Sequence, residues 1–185
     1  MKFIMCLFVL FSISSCQSLS TITDKPASKH LGKKAQATII NGYGRVIGRA
    51  TLTQGSQGVL MQLKVKKLAS GKHGMHFHEI GSCEAQDHFA SAKGHIMRLG
   101  KPHGFLHPQG PHAGNLPNLI VRKDGTADVE LYTDLISLYG DGGRPALLDD
   151  DGSALVIHKY EDDHKTQPIG KSGGRLACGV IEEEN

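Results

Sequence analysis

The chain has 185 residues, enough for one domain that buries most of its apolar surface, with short appendages to spare. A net charge of +3 is too small for a nucleic-acid-binding protein, and no run of lysine and arginine supplies a local substitute. Twenty-three glycines beside only 5% aromatic residues predict short strands punctuated by tight turns. Eleven histidines are an unusual number, and they concentrate between His73 and His112.

In chain order, Lys2 precedes an apolar run from Phe3 to Phe11 that is too short to span a bilayer as a mature helix. Residues 1–15 therefore read as a signal peptide. Ile13-Ser14-Ser15-Cys16 resembles a bacterial lipobox, in which cleavage precedes a cysteine that then carries lipid. A plain secretory signal cleaved nearby is the alternative. Either way the mature chain is expected outside the cytoplasm, in the periplasm or cell envelope, touching a membrane only through lipid on Cys16. Residues 16–34 are polar and read as a flexible tether, leaving 35–185 as the folded domain. In such an oxidising compartment Cys6 leaves with the signal, and Cys83 and Cys178 remain as an even pair. A disulfide between them would close a loop of about a hundred residues, worth about 4–5 kcal/mol in the chain-entropy account.

From Ala35 the texture changes to short β-type runs. Between Gly58 and Leu68, Val59, Met61, Leu63 and Val65 alternate with Gln62, Lys64 and Lys66. Ala127, Val129 and Leu131 alternate with Asp128 and Glu130 just after the turn signal Lys123-Asp124-Gly125. With further strand candidates at 36–41, 45–53, 73–79, 117–122, 153–158 and 175–181, the count is eight. The predicted fold is all-β, an eight-stranded antiparallel Greek-key barrel or sandwich. A helical turn is expected only at 134–139. Two long loops, 80–115 and 159–174, fit no strand, and loops of that length in a compact domain usually carry function.

His76-Phe77-His78 is the sharpest local signal. On a strand the side-chain period is two, so both imidazoles face one side and Phe77 the other. Paired imidazoles on a rigid element are a good start for a copper or zinc site. His158 ends another apolar run, and the first long loop adds His95, His103 and His112. Their spacing matches no short zinc-finger pattern.

Longer motifs are more specific. Gly74-Met75-His76-Phe77-His78-Glu79, then Gly81-Ser82-Cys83, and Gly173-Gly174-Arg175-Leu176-Ala177-Cys178-Gly179-Val180-Ile181 strongly resemble the copper/zinc superoxide dismutases. The bacterial periplasmic branch is the nearer one, judging by Gly81-Ser82-Cys83 and Leu116-Pro117. The likeness runs in order from about Ala35 to Ile181. It implies copper on His76, His78, His95 and His158, with His95 bridging to zinc. It implies zinc on His103 and His112 as well, a disulfide between Cys83 and Cys178, and Arg175 holding the superoxide anion beside copper. Asp162 matches the carboxylate that orients a copper histidine and a zinc histidine together.

Two positions depart from the family pattern. Asn115 stands where a zinc-ligating aspartate is expected. Its amide oxygen can still coordinate zinc as the fourth ligand but carries no charge, so zinc would lose an anionic ligand and bind more weakly, with room for a water to complete the tetrahedron. After His95 the usual aromatic and proline give way to Ile96-Met97-Arg98. The implied activity is conversion of superoxide to dioxygen and hydrogen peroxide, with His95 handling a proton and positive charge at the mouth drawing in the anion. Lys159, Lys165 and Lys171 read better as solvated loop charges than as steering groups, and the family is compatible with a monomer or a homodimer. Two alternatives stand beside this reading: a copper-only dismutase, favoured by Asn115, and a periplasmic metal-binding protein without turnover. Arg175 argues against the latter, since a metal buffer has no use for a cation that holds substrate.

Overall fold

The computed structural model describes residues 27–97 and 100–184. The expected signal peptide, Cys16 and Arg98 lie outside the described residues. Among the described residues no helix is long and apolar enough to cross a membrane.

Among the described residues nine strands follow one another: β1 (Lys34–Asn41), β2 (Val46–Gln54), β3 (Val59–Val65), β4 (Gly71–His73), β5 (Met75–His78), β6 (Leu119–Val121), β7 (Ala127–Thr133), β8 (Ser153–His158) and β9 (Arg175–Glu183). Seven form one antiparallel sheet in the order β5-β8-β9-β1-β2-β3-β7, and β4 pairs with β6. The neighbours β5–β8, β9–β1 and β3–β7 are joined by connections that skip strands, as a Greek key requires. The sheet curls into a half-barrel sandwich rather than closing, because among the described residues no ladder joins the β4–β6 ribbon to either end of the large sheet.

The alternating patterns behave as period two demands. Along β3 residues alternate strictly between buried and exposed, and Ala37, Ile39, Leu52, Met61, Leu63, Phe77, Leu155 and Ile157 share the main core. All six residues of β8 are buried, since both its faces are covered. Leu155 and Ile157 enter the main core, while Ala154 and Val156 lie under the long loop with Phe89, Ala92 and Cys178. A strand covered on both sides reads as a continuous apolar run.

Two expectations are corrected. The run 73–79 is not one strand, because the backbone of Gly74 leaves the ladder: its N–H donates to Tyr160 O and its C=O accepts from His158 N–H. Eight expected strands thus become nine. Residues 134–139 form no helical turn. Their backbone groups pair elsewhere: Leu138 N–H donates to the Gln54 side chain, and Leu147 N–H and Leu148 N–H donate to Ser137 O and Leu138 O. The short 3-10 turn in this region is Asp141–Gly143. Within the stretch read as a tether, residue Ser28 is buried and its N–H donates to Ser56 O.

Candidate metal centre

The metal-capable side chains gather on the outer face of β5 and β8, beneath the two long loops. His76 pairs with Val156 and His78 with Ala154, so both imidazoles emerge on the face opposite Phe77. His158 stands one position past the register of β5, on the same row. A bulge between Ile157 and His158 sets His158 opposite Arg175 of β9, and bulges commonly re-aim a side chain in this way. The segment Gly94–Ile96 seals the open edge of β5 through Glu79 N–H to Gly94 O and Ile96 N–H to Phe77 O. That brings in His95.

Carbonyl and carboxylate oxygens only accept hydrogen bonds, so they fix which ring nitrogen carries the proton. His78 Nδ1–H donates to Lys93 O at 2.9 Å, His158 Nδ1–H to Gly173 O at 3.1 Å, and His76 Nε2–H to Asp162 Oδ2 at 2.8 Å. The remaining nitrogens, His76 Nδ1, His78 Nε2 and His158 Nε2, are buried without a partner, as is His95 Nε2. The ligand atoms of these four residues lie within 4.8 Å of one another. Three of these convergent nitrogens are unprotonated by their ring tautomers, and with His95 Nε2 the four form a donor set suited to copper.

A second set shares His95. His112 Nε2 lies 3.1 Å from His95 Nδ1 and 3.2 Å from His103 Nδ1. Ligands at tetrahedral corners around zinc stand about 3.3 Å apart, so these three nitrogens fit such an ion. His95 has neither nitrogen pinned by a carbonyl or carboxylate, and one faces each set. His103 Nε2–H donates to Asp162 Oδ1 at 2.9 Å, so one carboxylate orients a histidine of each set. Gly170 makes room for that junction: its φ is positive, and a β-carbon there would overlap Asp162 Oδ1.

Burial sets the electrostatics. It pushes His158 down to about 3 and His112 down to about 4. It also holds His78 and His95 well below the usual imidazole range, and lowers His76 against the opposing pull of Asp162. Burial raises the Asp162 carboxyl, yet hydrogen bonds from His103, His76 and the His164 backbone outweigh it and keep the group ionised. The rings are thus neutral and ready to ligate.

Arg175 donates from Nη1 to Phe89 O and from Nη2 to Lys93 O. Its guanidinium lines a cleft of about 340 Å³ together with His78, His95, His158, His103 and His112. Cys83 and Cys178 form a disulfide with Cα atoms 5.7 Å apart, pinning the first long loop to β9.

Every histidine named from the sequence as a ligand therefore lies in one of the two sets, with Asp162 between them. Asn115 is buried beside the second set, its Nδ2 3.4 Å from His103 Nδ1. His107 stays outside, accepting from Gln109 N–H. Several supporting residues carried no sequence signal. Asn118 clamps the backbone of Asp162, donating to its C=O at 2.8 Å and accepting from its N–H at 2.9 Å. Lys93 serves through its carbonyl, which accepts from both His78 and Arg175. His73 is buried with ring nitrogens 2.9 Å from Ala69 O and His158 O.

The fold and site together define an antiparallel β-sandwich of a metal-binding class, with two histidine sets that share His95 beside a cationic cleft. The copper/zinc superoxide dismutase family model matches residues 46–181, and the chain belongs to that family. It is 48% identical over 149 residues to Superoxide dismutase [Cu-Zn] of Caulobacter vibrioides, covering 80% of this chain and 85% of that one. To Superoxide dismutase [Cu-Zn] 2 of Aquifex aeolicus it is 43% identical over 149 residues, covering 80% and 86%. The crystal structure of a SOD-like protein from Bacillus subtilis matches with a TM-score of 0.74 at 38% identity, covering 78% of this chain and 96% of that one.

Proposed function

We propose that this chain dismutates superoxide, with copper held by His76, His78, His95 and His158 and zinc by His95, His103 and His112. The observation that carries the reading is the convergence of four partnerless imidazole nitrogens beside the Arg175 guanidinium. Copper supplies a one-electron couple, so that two superoxide anions and two protons become one dioxygen and one hydrogen peroxide. Arg175 holds the incoming anion, and its own orientation is fixed by two carbonyls. His95, pinned by no carbonyl or carboxylate, would carry a proton at Nε2 only while that nitrogen is off the metal, and would pass it to the reduced product. Asp162 keeps the rings of His76 and His103 turned toward their sets.

The test is metal content and superoxide consumption measured on the same preparation. Copper-loaded protein without activity would sink the enzyme reading in favour of a metal-binding protein. Full activity with stoichiometric copper and no zinc would establish a copper-only enzyme, a reading that the uncharged Asn115 favours.

The site of action is proposed to be the cell envelope, with Cys16 carrying lipid. The apolar run at residues 3–11, the Ile13–Cys16 motif and the disulfide support this reading. Replacing Cys16 by serine should move the protein from the membrane fraction to the soluble fraction; an unchanged distribution would count against lipidation.

A further inference from the structure

The second nitrogen set has one corner where this chain's chemistry differs from a four-ligand site. Asn115 Oδ1 accepts the Gly104 N–H at 3.1 Å, while Nδ2 is the atom turned toward His103 Nδ1. That orientation is imposed from outside. The Gly104 N–H needs an acceptor, and a reversed amide would set an NH2 group against it. A carboxylate has two oxygens, one for the backbone and one for a metal. A carboxamide has a single oxygen, and here it is already engaged; its NH2 offers no lone pair to a metal. Asp162 cannot substitute, because both its oxygens serve the far nitrogens of His76 and His103. Among the described residues no other carboxylate or thiol joins His95, His103 and His112.

We infer that Asn115 is not a ligand, and that the second metal is held by three imidazoles with a small solvent-borne ligand, water or a monovalent anion, at its fourth position. The Asn115 NH2 then faces that ligand as a hydrogen-bond donor. His95, His103 and His112 line the same cleft as Arg175, which gives a small anion a path to the metal. Three protein ligands plus an exchangeable one is the arrangement of reactive rather than purely structural zinc sites.

The inference rests on the two-metal reading, and its test separates the two. The full chain is loaded with Cu(I), which has no d–d absorption, and then with Co(II) as a visible stand-in for zinc. Thiocyanate is titrated while the Co(II) d–d bands are recorded. The bands should shift and change intensity in the natural protein. Asn115→Asp, which keeps an oxygen for Gly104 and adds one for the metal, should need at least tenfold more thiocyanate and should retain zinc at least tenfold better against a chelator. Bound Co(II) whose spectrum ignores thiocyanate, or an equal response in Asn115→Asp, would overturn the inference alone. Failure of the folded, copper-loaded protein to take up Co(II) would overturn the two-metal reading and the inference with it.

Discussion

Asp162 Oδ2 accepts the Nε2–H of His76 at 2.8 Å, which leaves His76 a single nitrogen, Nδ1, to offer a metal. The second oxygen does the same for His103. Asp162→Ala should therefore release two rings at once, one from each set. Loss of such an orienting partner commonly weakens metal binding about 10–100-fold. Chelator competition for copper and zinc would measure it, and unchanged retention of both would refute the role given to Asp162.

Arg175 makes no ion pair among the described residues and is held by carbonyls alone, so its charge stays available to an anion. Arg175→Ala should lower superoxide consumption by about tenfold or more at low ionic strength and flatten its salt dependence. Arg175→Lys should keep part of the salt dependence. A rate unchanged in the alanine variant would argue against substrate contact.

The metal-free protein should be acid-sensitive in a defined window. The pKa values of His158 and His112 lie near 3 and 4 in the folded state, below the unfolded value of about 6.5. Between those limits the unfolded chain binds more protons, so stability falls as pH falls. Each group contributes a slope of about 1.4 kcal/mol per pH unit inside its window and none above about pH 7. Thermal melts of metal-free protein should be flat at neutral and alkaline pH and drop steadily from pH 6 to pH 4. A melting temperature that rose on acidification would contradict the assignment.

Lys93 has φ 60° and ψ −145°, a backbone region that is essentially reserved for glycine and costs about 1–3 kcal/mol for other residues. Its carbonyl is also the shared acceptor for His78 and Arg175. Lys93→Gly keeps the carbonyl and removes the strain. A gain of about 1 kcal/mol, or about 2–4 °C in Tm for a chain of this size, is expected, with copper retention unchanged. A lower Tm would show that the lysine side chain contributes more than its backbone loses.

Cys178→Ser removes the tie between β9 and the first long loop across a sequence separation of 95 residues. The chain-entropy account gives a loss of about 4–5 kcal/mol, readable by urea unfolding of the metal-free protein. Because Phe89 and Lys93, the acceptors of Arg175, belong to that loop, anion-dependent activity should fall as well. A loss below about 1 kcal/mol would mean that loop packing, not the bridge, holds the segment.

What the sequence made legible follows from where the information resides. The period-two runs of β3 and β7 and the pair His76 and His78 on β5 announce themselves, because alternation in a strand is a local property. The ligand set and Asp162 were reachable only through resemblance, since histidines drawn from two strands and a long loop share no spacing. The break at Gly74 was hidden because its backbone partners, Tyr160 and His158, lie over eighty residues away. Lys93 and Asn118 were hidden for another reason. One works through a carbonyl and the other by clamping a backbone, and neither task is written in side-chain identity. A glycine at position 93 would have signalled its positive φ; a lysine does not.

The register that seats His158 beside β5 also sets when during biosynthesis the centre comes into being. His76, His78 and His95 emerge from the ribosome long before His158, and Arg175 and Cys178 come later still, on the final strand. A chain released before β8 and β9 has three of the four nitrogens of the first set, no cation beside them and no partner for Cys83. An unfinished copy thus lacks the fourth nitrogen of the first set, the guanidinium of the cleft and the cysteine that ties the loop down.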